Sequence, residues 1–194
     1  DGLCFFDMKN VNPDDVAVGQ VSAIAGLAVT QRIELGIDLW RKGVVGAICF
    51  APFNKAAIKA AKGHKFTSEI PYIKEVLDYH GPAGEINHMK NIFTTRAMSH
   101  VPMVDIAQYL TKENIKIAIR LLWSTMKNAG YENPRIGVAA LNPHAGEYGT
   151  CGDEEGRIIA PCIKEMESEG VFVTGPYAAD TIFNRALNHG EFDG

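Results

Sequence analysis

Two histidines lie where α/β proteins commonly place their chemistry, at the ends of predicted strands. His144 sits in the loop 141–147 (LNPHAGE), directly after the apolar run 135–140. His100 follows a weaker predicted strand over 92–99. Because parallel strands end at one edge of a sheet, the two imidazoles can converge on one divalent metal. A surface turn with an incidental histidine explains the loop equally well, so spacing alone leaves both interpretations open.

Polar side chains after a second apolar run offer candidate contacts for an anionic substrate. Asn54 and Lys55 follow the run 44–51, and a lysine at the end of a strand can bind an anion or shuttle a proton. A solvated lysine that opens a helix is the alternative. Thr67 and Ser68 precede a predicted helix, with Ser68 as the candidate N-cap. Their hydroxyls can also bind a carboxylate or a phosphate.

The other histidines and a glycine-rich loop carry less chemical information. Four histidines lie in polar stretches and are expected to be exposed: His64, His80, His88 and His189. The glycines at 146, 149 and 152 match neither a dinucleotide-binding nor a P-loop pattern. The acidic residues at 153–155 suit a helix dipole and would repel a phosphate at that helix end. We therefore expect ordinary loop glycines ahead of a well-capped helix.

The apolar periodicity predicts strands that alternate with helices. The continuous run 44–51 is typical of a strand covered on both faces. Alternation of this kind indicates parallel βαβ units and an α/β fold. Further strands are predicted over 92–99, 135–141 and 171–174, and helices over 22–42, 55–62, 69–80, 104–110, 113–129, 153–169 and 178–188.

Composition excludes several classes of protein. The 194 residues are 46% hydrophobic and 22% charged, with a formal net charge of −4, which gives no basic footprint for nucleic acid. No apolar run is long enough to span a membrane. The four cysteines are scattered, and Cys49 and Cys162 are expected to be buried thiols of a reducing cytoplasm. Because the chain starts with Asp1, we expect a piece of a longer protein.

Taken together, the motifs resemble the 4-hydroxythreonine-4-phosphate dehydrogenase (PdxA) family. The resemblance runs in order over nearly all 194 residues. It is carried by the stretches GQVSA (19–23), APFNK (51–55), SHVP with Asp105 (99–105), LNPHAGE (141–147), GDEE (152–155), IAP (159–161), GP (175–176) and ADTIF (179–183).

The resemblance implies a fold, a chemistry and a set of residues. The fold is of the isocitrate/isopropylmalate dehydrogenase type, with two α/β/α lobes, in homodimers whose active sites are shared between subunits. The reaction is oxidation of a secondary alcohol by NAD or NADP, followed by decarboxylation of the β-keto acid. A divalent metal acts as the Lewis acid, zinc first and cobalt or magnesium as alternatives. His100 and His144 match two of its three histidine ligands, while Asn54, Lys55, Thr67 and Ser68 match stretches assigned to substrate and catalysis.

Three departures from the family pattern qualify the substrate. The family's third metal histidine and its opening glycine-rich stretch have no counterpart, so residues 1–194 correspond to the central part of the full-length enzyme. Thr67 stands where the family has a histidine that can hold an anion by charge. Gln20 replaces a lysine, with no consequence that the sequence reveals.

Thr67 widens the choice of substrate. The candidates are 4-phosphohydroxy-L-threonine, on the way to pyridoxal phosphate, and phosphorylated analogues such as 4-phosphothreonate or 4-phosphoerythronate. Alternatives are an aromatic cis-dihydrodiol carboxylate and a non-catalytic paralogue that only dimerises. Cofactor-binding residues are not identified.

Overall fold

The computed structural model describes residues 2–63 and 66–194 and divides the chain into two units, Asp1–Gly81 and Pro82–Gly194. The first unit is helical in its described part, and the second contains all the strands that are described. No helix among the described residues is both long and apolar enough to cross a membrane. His64 lies outside the described residues, so the prediction of its exposure stays untested.

The described part of the first unit contains three helices, after a short 3₁₀ turn at Pro13–Asp15. They are α1 (Ala23–Arg41), α2 (Lys55–Lys62) and α3 (Glu69–Leu77). The Ser22 hydroxyl caps α1 by accepting from the Ala25 N–H at 3.3 Å. The predicted helix over 69–80 is too long, because Asp78 adopts a left-handed conformation that ends α3. The core of this unit consists of Ile33, Ile37, Ile58, Phe66 and Tyr72.

Helices α1 and α2 approach closely at Gly26. A Cβ atom at this position would lie 2.0 Å from the carbonyl oxygen of Ala57, which is a backbone atom. The crossing therefore requires a residue without a side chain. By contrast, a Cβ atom at Gly36 on the same helix would meet the Ile48 side chain at ordinary contact distances of 3.4 to 3.6 Å.

The predicted strand over 44–51 is wrong, and so is the predicted burial of Cys49. The run is not part of any strand, and Cys49 is exposed. Val44 and Phe50 expose 66% and 50% of their surface. A strand covered on both faces needs neighbouring strands to bond to, and the described part of this unit, 2–63 and 66–81, supplies helices and a 3₁₀ turn only.

Two parallel strands form the frame of the second unit. They are β3 (Ile136–Ala139) and β4 (Val173–Tyr177), which pair Ile136 with Val173. The chain between them passes through α6 (Ala160–Ser168), which confirms a parallel βαβ unit. The predicted strand boundaries are shifted: β3 is shorter than 135–141, and β4 starts later and runs longer than 171–174.

Helix α5 (Lys112–Asn128) packs its apolar face into the core of the second unit. Thr111 caps it, accepting from the Asn114 N–H at 3.2 Å. Ahead of it lie a 3₁₀ turn and the short helix α4 (Ile106–Tyr109), where a longer helix over 104–110 was predicted. The core of this unit is formed by Phe93, Leu110, Ile115, Ile119, Leu122, Met126, Ile136, Ile159, Cys162, Ile163, Met166, Val171 and Val173. The predicted burial of Cys162 is confirmed.

The predicted helix over 153–169 is not α-helical throughout. Residues Glu155–Ile159 form a π-helical turn, and regular α-helix begins at Ala160. Pro161 has no N–H, so the carbonyl one turn before it lacks its usual partner. Helix α7 (Ala179–His189) follows β4 and agrees with the prediction over 178–188 to within a residue at each end.

A short hairpin and the last residues of the chain complete the second unit. The hairpin pairs β1 (Asn87–Met89) with β2 (Ile92–Thr94), where one longer strand over 92–99 was predicted. The Phe93 N–H donates to the Asp193 carbonyl at 3.0 Å, and the Gly137 N–H donates to the Gly194 carbonyl at 2.8 Å. The segment 193–194 therefore lies between β2 and β3.

An ion pair fastens this segment to the beginning of β3. Asp193 Oδ2 accepts from the backbone N–H and from Nε of Arg135, both at 3.0 Å, and Oδ1 accepts from Nη2 at 2.7 Å. The hydrogen bonds from Arg135 outweigh the opposing effect of burial and lower the pKa of the Asp193 carboxyl. The pair joins two segments that are 58 residues apart in sequence.

Gly26→Ala should destabilise the chain by about 1–3 kcal/mol or more, because the new methyl group collides with the backbone of α2. Gly36→Ala is the matched control on the same helix. It should stabilise by about 0.5–1 kcal/mol, since Ala is the better helix former and its methyl group would make only ordinary contacts with Ile48. Urea unfolding measures both changes. Equal effects of the two substitutions would contradict the close crossing at Gly26.

Asp193→Asn should lower the free energy of unfolding at pH 7 by about 1 kcal/mol, a value reduced for the partial exposure of Arg135. The folded pKa of Asp193 is depressed, so its contribution is complete above the ordinary aspartate pKa and is lost as pH falls through the folded value. The difference in free energy of unfolding between the variant and the wild type should therefore become smaller below about pH 4.

Urea titrations of the wild type and of Asp193→Asn, at pH 7 and at acidic pH, measure this difference in the free energy of unfolding. Glu169→Gln serves as a control, because its partner Arg120 is 46% exposed and Glu169 is 40% exposed. The control should change stability by less than about 0.5 kcal/mol. A difference in free energy of unfolding that stays constant with pH would contradict the link between the protonation of Asp193 and its contribution to stability.

Candidate active site

The loop after β3 holds His144 in a strained conformation. Five consecutive residues, His144 to Tyr148, have φ between 43° and 82°, and only Gly146 among them is a glycine. Left-handed backbone costs about 1–2 kcal/mol for each residue with a side chain. Strain of this kind persists where the surroundings enforce it, which is a common property of functional sites.

Glu155 anchors the beginning of this loop. Its Oε1 accepts from the backbone N–H groups of Leu141 at 2.9 Å and Asn142 at 2.7 Å, and its Oε2 accepts from Asn142 Nδ2 at 2.9 Å. Burial raises the pKa of Glu155, but the hydrogen bonds from Asn142 and Leu141 outweigh it and leave the pKa below its usual range. Glu155 is thus an ionised, almost fully buried acid.

Gly146 is required within the loop for two reasons. Its φ is +82°, and a Cβ atom there would lie 2.8 Å from the Gly152 carbonyl oxygen and 2.9 Å from Oε2 of Glu155. The Cys151 N–H donates to the Gly146 carbonyl at 3.0 Å and closes the turn. Gly146 therefore shapes the loop that carries His144.

The His144 imidazole is held by a carboxylate. Its Nδ1 lies 2.7 Å from Oε1 of Glu147, three residues along the loop. This hydrogen bond and the charge of Glu147 raise the pKa of His144, and Asp180 at the start of α7 adds a further attraction. With Nδ1 engaged by an acid, Nε2 is the nitrogen left to bind a substrate or a metal, which is how ligand histidines are usually oriented.

His100 is the second predicted ligand and lies in the same unit. It is exposed, and its φ of +58° places it, like His144, in the left-handed region. The segments that lead to the two histidines, 95–98 and 136–141, line one apolar cavity of about 330 Å³. No group of three or more His, Cys, Asp or Glu side chains among residues 2–63 and 66–194 is arranged to hold a metal ion. The described residues thus offer imidazoles suited to a metal but not a complete set of ligands.

The predicted substrate residues lie in the first unit, where two helix starts meet. Lys55 Nζ forms an ion pair with Glu69 Oε1 at 2.9 Å, which joins the beginnings of α2 and α3. Oδ1 of Asn54 accepts from the N–H groups of Ala56 at 2.9 Å and Ala57 at 3.2 Å. Asn54 is therefore the N-cap of α2, a structural role that the sequence analysis did not identify.

Ser68 and Thr67 come just before α3. Ser68 occupies the predicted N-cap position, but its hydroxyl makes no capping hydrogen bond. Thr67 lines a shallow cavity together with Lys59, Gly63 and Phe66. Of the histidines predicted to be exposed, His80, His88 and His189 are exposed, and the His88 ring stacks on Phe93.

The sequence did not reveal the roles of two site residues, Glu147 and Glu155. Glu147 was part of the quoted loop motif but received no function, and Glu155 was attributed to the helix dipole. A histidine followed three residues later by an acid was the only local signal for the Glu147 pair. For Glu155 no local signal exists, since its partners lie 13 and 14 residues earlier in the chain.

Comparison with known proteins places these observations in a family. A protein of Rhizobium meliloti (strain 1021), provisionally named 4-hydroxythreonine-4-phosphate dehydrogenase 2, is 37% identical over 186 residues, which are 96% of this chain and 53% of that protein. A protein of Oceanobacillus iheyensis, provisionally named D-threonate 4-phosphate dehydrogenase, is 35% identical over 185 residues, which are 95% of this chain and 55% of that protein.

A solved structure agrees with the relatives. The crystal structure of 4-hydroxythreonine-4-phosphate dehydrogenase from Klebsiella pneumoniae superposes with a TM-score of 0.85 at 32% identity, covering 93% of this chain and 55% of that one. The chain thus spans about half the length of the relatives it matches. The model of one family, described as pyridoxal phosphate biosynthetic protein PdxA, matches residues 4–194. The chain belongs to the PdxA family.

Proposed function

We propose that the complete protein is an NAD- or NADP-dependent dehydrogenase of a phosphorylated 3-hydroxy acid. The alcohol carbon gives a hydride to the nicotinamide, the hydroxyl loses its proton, and the resulting β-keto acid loses CO2. The observation that carries the proposal is His144, oriented by Glu147 on a strained loop at the end of β3 in a chain of the PdxA family.

His144 and His100 would hold a divalent metal. When bound, the ion supplies Lewis acidity to the oxygen of the substrate's alcohol and later ketone. Imidazole ligands suit zinc or cobalt better than magnesium, which prefers oxygen. Glu147 keeps the proton of the ring at Nδ1 of His144, so that Nε2 presents its lone pair. Further ligands would come from outside the described residues.

Lys55, Asn54, Thr67 and Ser68 are the proposed substrate contacts. The exposed ammonium of Lys55 can bind an anionic group or pass a proton, although it also neutralises Glu69 in the helix junction. Asn54 uses its Oδ1 as a helix cap, which leaves its amide NH2 to donate to a ligand. Thr67 and Ser68 offer neutral hydroxyls beside this junction.

The substrate class follows from the relatives and from Thr67. One relative is named for 4-hydroxythreonine 4-phosphate and another for D-threonate 4-phosphate. A hydroxyl at Thr67 replaces a side chain that can hold an anion by charge, so a related phosphorylated sugar acid stands beside 4-phosphohydroxy-L-threonine as a candidate substrate. Homodimers with shared active sites are part of the same proposal.

A panel of substrates, assayed on the complete protein with NAD and with NADP, tests the reaction. The panel contains 4-phosphohydroxy-L-threonine, D-threonate 4-phosphate, D-erythronate 4-phosphate and an aromatic cis-dihydrodiol carboxylate. We expect reduced nicotinamide and CO2 in equal amounts with one phosphorylated acid, and loss of both when EDTA is added. Turnover of the aromatic acid alone would contradict the proposed substrate class and favour the aromatic cis-dihydrodiol carboxylates. No turnover of any of them in the metal-loaded protein would leave the non-catalytic alternative.

His144→Ala should abolish stoichiometric binding of zinc or cobalt to the complete protein, because it removes a direct ligand. Metal content after dialysis, measured by mass spectrometry, gives the result independently of turnover. His189→Ala is the control, an exposed histidine near the end of α7 that should leave the metal content unchanged. Retention of one metal per chain in His144→Ala would eliminate this histidine as a ligand.

A further inference from the structure

Glu155 is an unusual acid for its position in the chain. It is 5% exposed, although it lies at the start of a helical segment where carboxylates are normally solvated. The helix dipole explains an exposed acid at this place but gives no reason to bury one. Two strong hydrogen bonds to backbone N–H groups and one to a side-chain amide supply the reason.

These contacts fall where β3 stops and the left-handed loop starts. The N–H groups of Leu141 and Asn142 lie just beyond Ala139, the last residue of the strand, so the ladder no longer provides their acceptors. Backbone N–H groups that leave a strand ladder need other acceptors, and one carboxylate oxygen of Glu155 serves both of them. The other oxygen faces the position that a Cβ atom on Gly146 would fill, at 2.9 Å. The carboxylate therefore binds the chain just before His144 and lies close to Gly146 just after it.

We propose that Glu155 is a positioning residue that sets the direction of the His144 ring by clamping the backbone of the loop that carries it. This proposal rests on the function proposed for His144. It goes further by assigning the orientation of the imidazole to two carboxylates with separate tasks. Glu147 sets the ring nitrogen that carries the proton, and Glu155 sets the backbone from which the ring extends.

The charge of Glu155 is part of the clamp. A carboxylate accepts more strongly than a neutral amide and has two oxygens to offer, while glutamine has one oxygen and one NH2 group. In Glu155→Gln, the new NH2 group would face either the backbone N–H groups of Leu141 and Asn142 or the side-chain NH2 of Asn142, all of which are donors. The left-handed residues would then lose the restraint that opposes their strain, and His144 would sample other directions.

Hydrogen exchange of the complete protein is the first test, and it needs no metal or substrate. In Glu155→Gln the amides of Leu141 and Asn142 should exchange at least about tenfold faster, while amides in the centre of α5 stay protected. Glu154→Gln is the matched control. It removes the same charge one residue earlier, from a carboxylate that accepts from Asn142 Nδ2 but from neither backbone N–H group.

Kinetics and cobalt binding to the complete protein form the second test. A displaced ligand should change the visible spectrum of bound cobalt and lower kcat about 10–100-fold, the range known for residues that orient metal ligands. KM should change less than about threefold, because a positioning role gives Glu155 no direct contact with the substrate. Glu155→Asp, which keeps the charge on a shorter side chain, should recover part of kcat and part of the amide protection.

The outcomes separate the two proposals. Glu155→Gln could show faster amide exchange while the wild type neither binds cobalt nor converts any substrate. That result would support the clamp and reject the function proposed for His144. Unchanged exchange and unchanged kcat in Glu155→Gln, with an active wild type, would overturn the clamp. If Glu155→Gln does not fold by circular dichroism, Glu155→Asp decides, and wild-type values in that variant for exchange, spectrum and kcat would overturn the clamp.

Discussion

The second unit depends on the parallel pairing of β3 and β4. Two parallel strands have their beginnings at the same end, so the chain must return along the sheet before it can pair again. Here it returns through α6, whose buried face packs on the same core as α5. Both strands then end at one edge, where the loop of His144 follows β3 and the start of α7 follows β4.

At that edge, the backbone around His144 is strained and the histidine is held in place. Five left-handed residues in a row are unfavourable, and the chain holds them with two acids of different character. Glu147 is exposed and faces the ring of His144, whereas Glu155 is buried and faces the backbone. An exposed ion pair contributes little to stability, so Glu147 matters for the state of the imidazole. A buried carboxylate with all its contacts made defines a single conformation.

The first unit shows a different constraint, the close contact of two helices. Gly26 lets the backbones of α1 and α2 meet, and Asn54 and Lys55 at the start of α2 are fixed by a cap and by an ion pair with Glu69. The residues proposed for substrate thus owe their placement to helix geometry. The apolar run 44–51 has no strand to bond to in the described part of this unit, and every residue of it except Val45 is exposed.

Local sequence predicted most of the helices, the parallel order of the last two strands and the family of the chain. Helices α1, α2, α5 and α7 are set by local periodicity and by caps such as Ser22 and Thr111, so a short window of sequence contains their cause. The motif around His144 was recognisable because its residue types recur together and in order along the chain.

The roles of the acids and the choice of strands depend on long-range contacts. Glu155 looks like any acid at a helix start, and its role arises from amides 13 and 14 residues away. The run 44–51 has the composition of a strand, but a strand exists only where partners supply its hydrogen bonds. Local pattern fixes what a segment is able to form. The long-range contacts then select the conformation, because only they bury the apolar side chains and satisfy the polar groups.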